Sequence, residues 1–179
     1  MNLTVDVLYA IDSLNKSIFK EKIQDFKTFE TFIHDMVYLV ADSNSRTDEF
    51  EPFRNGLYSD AIGFALFRYE KNNVIAYNQQ GTRFETKEQV STQSRIPTIS
   101  SKLFPYLDAE GMSSVDDFIC LTQIHYYTIT NTHESDEDLA RRIKSNSMFL
   151  GWGNLAQLSN DKLKNYISHA REIEKILQD

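Results

Sequence analysis

The chain has 179 residues, of which 41% are hydrophobic and 12% aromatic, which is enough apolar material for a packed core and too much for a disordered chain. Its 26 acidic and 19 basic residues give a formal net charge of −7, which disfavours direct binding to nucleic acid because phosphates would be repelled. The single cysteine, Cys120, excludes an intramolecular disulfide and four-cysteine zinc sites.

Apolar residues at three- and four-residue spacing predict two helices near the amino terminus. The first covers about residues 4–19. The second covers residues 26–40 and carries an apolar stripe wide enough to face a core. The stripe consists of Phe26, Phe29, Phe32, Ile33, Met36, Val37 and Val40. The polar run 42–55 contains turn formers without an apolar period and is predicted to be a loop.

A third helix is predicted around residues 61–69, where Ile62, Phe64 and Leu66 also alternate as in a strand. Residues 73–77 and 82–86 are predicted to form a β-hairpin because a glycine-bearing turn separates two β-rich runs. The polar stretch 87–101 is predicted to be an exposed connection between two halves of the chain.

Segment 118–130 contains conflicting signals. Its many β-branched and aromatic residues favour a strand, whereas Ser114 followed by Asp116 and Asp117 is typical of a helix start. We interpret it as a helix and leave the strand open. Ser135 and the acids after it predict the start of a short helix, and Ser159 is expected to cap the last helix.

These elements predict a single domain over residues 1–179 with a mainly α (α+β) fold. A helical, bundle-like arrangement with a small β-hairpin or short antiparallel sheet fits the three prolines and six glycines of the chain, because so few helix breakers favour long helices.

Negative charge is concentrated in residues 103–140. This segment has eight carboxylates and neither lysine nor arginine, so the rest of the chain holds 18 acids and 19 bases. Four of the eight lie within residues 133–138, which exceeds what helix capping needs. A field concentrated in one region can steer a basic partner, and aromatic side chains supply binding energy at interfaces. The predicted partner-binding residues are Asp116, Asp117, Tyr126, Tyr127, Glu134, Asp136, Glu137 and Asp138.

This pattern favours a non-enzymatic acidic inhibitor of a basic, nucleic-acid-acting partner. An immunity protein or antitoxin against a nuclease toxin, or an inhibitor of a defence system, has this chemistry, with carboxylates in place of phosphates. No catalytic residue, cofactor or metal is expected. The hypothesis requires that cations from elsewhere in the chain do not neutralise these carboxylates.

Two other functions remain open. Glu85 and Lys87 form a Glu-x-Lys pair which, with Asp60 or Glu70 upstream, could belong to a metal-dependent nuclease or hydrolase. The second alternative function is that of an acidic interaction or scaffold domain. Cys120 and His125 are spaced too poorly for a nucleophile and its base in either a helix or a strand.

Two further features concern the exposure of Trp152 and the cellular compartment of the protein. Trp152 between two glycines is interpreted first as an aromatic packed in a tight turn and second as an exposed anchor. No apolar run approaches the roughly 20 residues that cross a bilayer, and the opening residues lack a basic leader. We therefore expect a cytoplasmic protein without membrane contacts.

Overall fold

The computed structural model describes residues 3–41, 43–53, 56–72, 74–78, 83–86 and 94–178. Its helices are α1 Leu3–Asn15, α2 Phe26–Val40, α3 Ser43–Asp48, α4 Asp60–Lys71, α5 Ile96–Ala109, α6 Val115–Thr130, α7 Asp136–Leu150, α8 Gly153–Ala156 and α9 Asn160–Gln178. Its strands are β1 Glu51–Phe53, β2 Gly56–Tyr58, β3 Ile75–Asn78 and β4 Arg83–Thr86. The strands pair antiparallel as β1 with β2 and β3 with β4. The predicted mainly α fold with a small antiparallel hairpin is confirmed.

Helix α2 lies at the centre of the core. Every residue from Thr31 to Val40 is buried, and the helix packs against α1, α5, α6 and β2. Its start is fixed by Asp25, whose carboxylate accepts a hydrogen bond from the Thr28 amide at 2.9 Å. A helix buried on all sides carries its polar residues into the interior, where each needs a hydrogen-bond partner.

The conflict over segment 118–130 is resolved as a helix. The Ser114 hydroxyl caps α6 by accepting a hydrogen bond from the Asp117 amide at 3.0 Å. Thr122 and Thr128 lie within hydrogen-bond distance of main-chain carbonyls one turn earlier, which satisfies their polarity inside the helix. Packing of α6 against α2, α7 and α9 outweighs the β propensity of its side chains.

The prediction of a loop over residues 42–55 is wrong. The run contains α3 and β1, and single buried side chains anchor both. Arg46 is 4% exposed and Phe50 is 2% exposed. Arg46 is polar, and Phe50, which precedes β1, is a single buried apolar residue, so the run has no apolar period and periodicity does not detect these elements.

The second half of the predicted connection 87–101 is also helical. Helix α5 begins at Ile96 with Pro97 in its first turn, a position where the missing amide hydrogen costs nothing. Ile96 and Ile99 are buried. The part of the connection over residues 87–93 lies outside the described residues.

Other boundaries differ by smaller amounts. Helix α1 ends at Asn15, and a 3₁₀ turn follows at Lys20–Lys22 instead of a helix that continues to residue 19. Helix α7 is 15 residues long, longer than expected. Helices α4 and α9 and the β3–β4 hairpin are confirmed. None of the described helices has the length and apolar character needed to cross a bilayer.

Candidate functional site

The carboxylates of residues 133–138 are all engaged by cations of the same chain. Two of these cations belong to α7 itself and two are brought in by α9, which packs against α7. The ion pairs are Glu134 with Arg142, Asp136 with Arg171, Glu137 with Lys164 and Asp138 with Arg141. Pairing of this kind reduces the field that these acids project into solvent. The sequence-based hypothesis required that such neutralisation be absent.

Asp116 and Asp117 at the start of α6 have different environments. Asp117 accepts hydrogen bonds from the hydroxyls of Ser114 and Tyr166, and the Tyr166 contact, at 2.5 Å, ties α6 to α9. Burial and the Asp117 carboxylate raise the pKa of Tyr166, so this tyrosine remains a donor. Asp116 is exposed and forms no ion pair with a described cation.

The two adjacent tyrosines of α6 face different surroundings. Tyr127 is 7% exposed and packs edge-on against Trp152, with ring centroids 6.0 Å apart. Trp152 is 4% exposed and follows Gly151, whose φ of 74° ends α7 in the left-handed conformation. The Trp152 indole N–H donates to the Phe53 carbonyl. Trp152 is therefore a packed turn residue and not an exposed anchor, whereas Tyr126 is partly exposed.

Tyr126 lines a groove in which negative charge is not compensated by the described residues. The groove has a volume of about 500 Å³, and we call it the acidic groove. Its lining residues are Thr47, Asp48, Glu49, Phe50, Glu51, Tyr58, Ser59, Asp60, Ala61 and Tyr126. The four carboxylates form no ion pair with any described cation. The described lining contains no lysine or arginine.

A single buried aromatic residue, Phe50, anchors the chain on one side of the acidic groove. Phe50 packs edge-on against Tyr38 in the core, with ring centroids 5.4 Å apart. Its neighbours Glu49, in the bend after α3, and Glu51, at the start of β1, are both exposed. Burial of Phe50 therefore places two carboxylates at the groove.

The other side is held by polar side chains of α2. The Ser59 amide donates to His34 Nδ1 at 3.1 Å, and the Leu57 amide donates to Asp35 Oδ1 at 3.4 Å. Amides two residues apart point to the same side of an extended chain, so the Leu57 and Ser59 amides both face α2. The side chains of His34 and Asp35 accept the hydrogen bonds that the carbonyls of a neighbouring strand would otherwise accept. These bonds fix Tyr58, which lies between them.

Tyr58 is accommodated by a glycine in α4. Its ring stacks on the His34 ring with centroids 4.8 Å apart. Its hydroxyl lies 2.7 Å from where a Cβ of Gly63 would be. Glycine weakens a helix interior, and here it provides the space in which the Tyr58 hydroxyl packs.

The pKa values of the groove tyrosines reflect the surrounding acids. Burial raises the pKa of Tyr58, and the charges of Asp60 and Glu30 raise it further. Burial also raises the pKa of Tyr126, with additional contributions from Tyr127 and Glu51. Both phenols therefore remain protonated at neutral pH and can donate hydrogen bonds beside the carboxylates.

The acidic groove was missed because its acids come from three elements. Asp48 ends α3, Glu51 begins β1 and Asp60 begins α4, while Glu49 lies between α3 and β1. A sequence signal does exist, since the four residues 48–51 read DEFE. Interpreting residues 42–55 as a polar loop hid it.

Catalytic constellations are not assembled among the described residues. His125 Nδ1 lies 2.9 Å from the Tyr38 hydroxyl and its Nε2 lies 2.8 Å from Glu174, so both ring nitrogens are occupied inside the core. Burial raises the pKa of Cys120 to about 12, which leaves the thiol protonated and weakly nucleophilic.

The Glu-x-Lys pair also lacks its expected neighbour. Glu85 lies in β4, and Lys87 lies outside the described residues. The adjacent strand β3 reads IAYN and has no acid, whereas Asp60 and Glu70 lie on α4. No group of three or more His, Cys, Asp or Glu residues in the described part of the chain could hold a metal ion.

Comparison of the chain with protein-family models, with curated proteins and with solved structures finds no match.

Proposed function

We propose that this chain is a non-enzymatic inhibitor that binds a basic, nucleic-acid-acting protein through the acidic groove. The observation that supports this proposal is the groove itself. Four carboxylates and two partly exposed tyrosines share one concave surface, and no described cation pairs with any of the acids. An immunity protein or antitoxin that neutralises a nuclease toxin is the form of inhibitor with this chemistry.

The negative charge of the acidic groove acts over a distance. Carboxylates that pair with no described cation keep their field in solvent and attract a basic surface from a distance. Such steering can raise association rate constants to about 10⁸ M⁻¹s⁻¹ at low salt, which suits the neutralisation of a toxic enzyme. A partner that normally binds phosphates would meet carboxylates in their place.

The aromatic residues of the acidic groove can supply binding energy. Tyr58 and Tyr126 offer flat apolar surface together with a protonated hydroxyl, the combination that is enriched at the centres of interfaces. Phe53, 50% exposed, packs against Tyr58 with ring centroids 5.5 Å apart and extends the apolar surface. Arginine side chains of a partner can stack on such rings while they pair with the carboxylates.

The acids of α7 are a weaker docking surface for the same partner. Each of the four carboxylates in residues 133–138 already contacts a cation of its own chain. A partner would have to displace those cations, and exchange of one ion pair for another adds little free energy. Of the residues predicted from the sequence, Tyr126 is the one that lines the acidic groove.

The proposal can be tested with two matched variants that each remove three charges. The groove variant carries Asp48→Asn, Glu49→Gln and Glu51→Gln, and the α7 variant carries Asp136→Asn, Glu137→Gln and Asp138→Asn. An arginine-rich peptide of defined sequence is titrated into each labelled protein, and amide NMR shifts are followed. We expect shifts at the groove in the parent chain and in the α7 variant, and their loss in the groove variant and at high salt.

A functional assay separates inhibition from simple charge binding. The chain is co-expressed with the product of the adjacent gene, and growth and nuclease activity are measured. The groove variant should lose protection while the α7 variant keeps it. Peptide shifts confined to α7, or equal protection by both variants, would overturn the acidic groove as the docking surface. Cleavage of RNA or DNA by the purified chain with Mg²⁺ alone would overturn the non-enzymatic assignment.

A further inference from the structure

A second concave site lies between the end of α1 and α5 and shares no lining residue with the acidic groove. It has a volume of about 470 Å³, within the range of about 300–1,000 Å³ that small-molecule sites occupy. We call it the α1–α5 cavity. Its apolar wall consists of Ile18, Pro97, Phe104 and Pro105, and its polar lining includes Ser100 and Ser101.

Ser100 brings a buried hydroxyl without a partner to the α1–α5 cavity. The residue is 6% exposed, and its Oγ forms no hydrogen bond with a described residue. Burial of an unbonded hydroxyl is unfavourable, because its hydrogen bonds to water are lost and nothing replaces them. Alanine would fill the same space without this loss, so helix packing alone does not account for the hydroxyl.

Other buried hydroxyls in the described helices are satisfied by the main chain. Thr128 Oγ1 donates to the Ile124 carbonyl at 2.8 Å, and Ser147 Oγ donates to the Ile143 carbonyl at 2.6 Å, each one turn earlier. Ser100 does not form the corresponding bond. Rotation about its Cα–Cβ bond can turn the hydroxyl toward a group in the cavity without moving the backbone.

Pro105 leaves a main-chain acceptor next to Ser100. Helix α5 continues through Pro105, and a proline has no amide hydrogen. The Ser101 carbonyl, four residues earlier, therefore lacks the donor that an α-helix normally supplies. The Ser101 hydroxyl is already used, because it donates to the Thr98 carbonyl at 2.8 Å. Two consecutive residues thus offer one hydroxyl and one carbonyl to a ligand.

The charged residues of the α1–α5 cavity do not call for an ionised ligand. Lys16 and Asp12, one turn apart on α1, pair with each other at 2.6 Å. Asp108 is exposed, so its carboxylate stays hydrated without a ligand. A ligand charge placed against the apolar wall would be desolvated without a counter-charge. The lining therefore favours an uncharged molecule.

We propose that the α1–α5 cavity binds a small uncharged molecule that has an apolar body and a hydroxyl group. A hydroxyl can accept one hydrogen bond and donate another. This pattern matches the Ser100 hydroxyl as donor and the Ser101 carbonyl as acceptor. The apolar body of the ligand covers Ile18, which is 37% exposed, and contacts Phe104 and the two prolines.

Three probes that share one aromatic ring test the two parts of this proposal. Benzyl alcohol, toluene and benzoate are titrated separately into the labelled protein, and NMR shifts and the thermal midpoint are followed. We expect saturable shifts at Ile18 and Ser100 with benzyl alcohol. Toluene, which lacks the hydroxyl, should bind about two- to tenfold more weakly. Benzoate, which is charged, should give no shift at these residues.

The decisive variant is Ser100→Ala, which removes the unpaired hydroxyl and keeps the packing. Its affinity for benzyl alcohol should fall toward that for toluene, while toluene binding stays the same. The unliganded variant should be as stable as the parent or more stable, because no hydrogen bond is lost. Ser101→Ala is the matched control at the next residue. It keeps the main-chain carbonyl and should keep the preference for the alcohol.

Three results would overturn the proposal. The first is the absence of a saturable response to benzyl alcohol. The second is equal affinity of the parent chain for benzyl alcohol and for toluene or benzoate, since the hydroxyl would then not be recognised. The third is a loss of stability in unliganded Ser100→Ala, since that would give the hydroxyl a structural partner. Because none of these measurements involves a basic protein, their failure leaves the acidic groove untouched.

Discussion

The Asp35 carboxyl and the Thr122 hydroxyl lie 2.7 Å apart in the buried contact between α2 and α6. The same hydroxyl lies 2.9 Å from the Ile119 carbonyl, and it has only one hydrogen to donate. Burial raises the pKa of Asp35 well above its ordinary value. A neutral Asp35 satisfies every group, because Oδ2–H donates to Thr122, Thr122 donates to Ile119, and Oδ1 accepts from the Leu57 amide.

Asp35→Asn should therefore be well tolerated. The amide nitrogen can donate to Thr122 and the amide oxygen can accept from Leu57, so the free energy of unfolding should change by less than about 1 kcal/mol. Asp35→Ala, which leaves both partners without a bond, should cost about 1–3 kcal/mol. Urea unfolding at about pH 4, below the range in which the raised pKa of Asp35 makes the parent lose stability, measures both. A larger loss in the asparagine variant would show that Asp35 acts as a carboxylate.

The same substitution should change the pH dependence of stability. A raised pKa in the folded state means that the folded protein holds this proton more tightly than the unfolded chain. The Asp35 contribution to stability is therefore complete below the ordinary carboxyl pKa and decreases as pH rises toward the folded pKa. The unfolding free energy of the parent minus that of Asp35→Asn should fall as pH rises above about 4. A flat or rising difference would contradict a neutral Asp35.

Glu174 should be the costliest surface-accessible carboxylate to remove. Although burial pushes the pKa of Glu174 upward, hydrogen bonding from His125 and the charge of Arg46 lower it to about 2. The Arg46 guanidinium donates to Glu174 at 2.6 Å and is itself buried. Glu174→Ala leaves that cation buried without a counter-charge, although Arg46 still donates to the Leu39 carbonyl, and should destabilise the fold by about 3 kcal/mol.

The reverse deletion should cost less. In Arg46→Met the carboxylate of Glu174 can turn toward water, since its side chain is 23% exposed, so the loss should be smaller than in Glu174→Ala. Unfolding of both single variants and of the double variant gives the coupling free energy. The lowered pKa also means that this contribution is present above about pH 4.5 and disappears as pH falls toward 2. Equal losses in the two single variants would contradict the asymmetry.

The ion pairs between α7 and α9 can be tested by exchange of charge. Glu137→Lys or Lys164→Glu alone places like charges together and should lower the thermal midpoint by a small amount at low salt. The double exchange should restore the midpoint. High salt should reduce the differences, because both side chains are largely exposed. A midpoint that is equally low in the double variant would mean that the contact is absent in solution.

These ion pairs explain why the charge pattern of the sequence predicted an uncompensated acidic surface at residues 133–138 that the fold does not have. Residues 133–138 look uncompensated along the chain, but Lys164 and Arg171 reach them from α9, about one helix and a turn later. Helix–helix packing of this kind depends on the whole fold. Local charge counts register only neighbours in sequence, so the acidity was predictable and its neutralisation was not.

The secondary-structure elements also divide into those that local sequence signals predict and those that depend on distant contacts. The stripe of α2 and the caps at Ser135 and Ser159 predicted α2, the start of α7 and α9, because those signals lie within one or two turns of chain. Helix α3 depends on the buried Arg46 and its bond to Glu174 on α9, a partner that the sequence does not reveal.

Strand β2 packs against α2, with Gly56 facing Thr31. A Cβ on Gly56 would lie 2.7 Å from the Thr31 methyl group, closer than real Cβ contacts, so one of the two residues would have to shift. Gly56→Ala should destabilise the fold by about 1–3 kcal/mol, as measured by chemical unfolding. Gly56→Ala combined with Thr31→Ser removes the colliding methyl and should recover most of the loss.

Gly153→Ala is the matched control, because no atom lies within 4 Å of its added Cβ and alanine favours the helical conformation. It should be neutral or slightly stabilising. If Gly56→Ala were equally neutral, β2 would not approach α2 as closely as the structure shows. The acidic groove would be affected as well, since the hydrogen bonds that fix Tyr58 depend on that close approach.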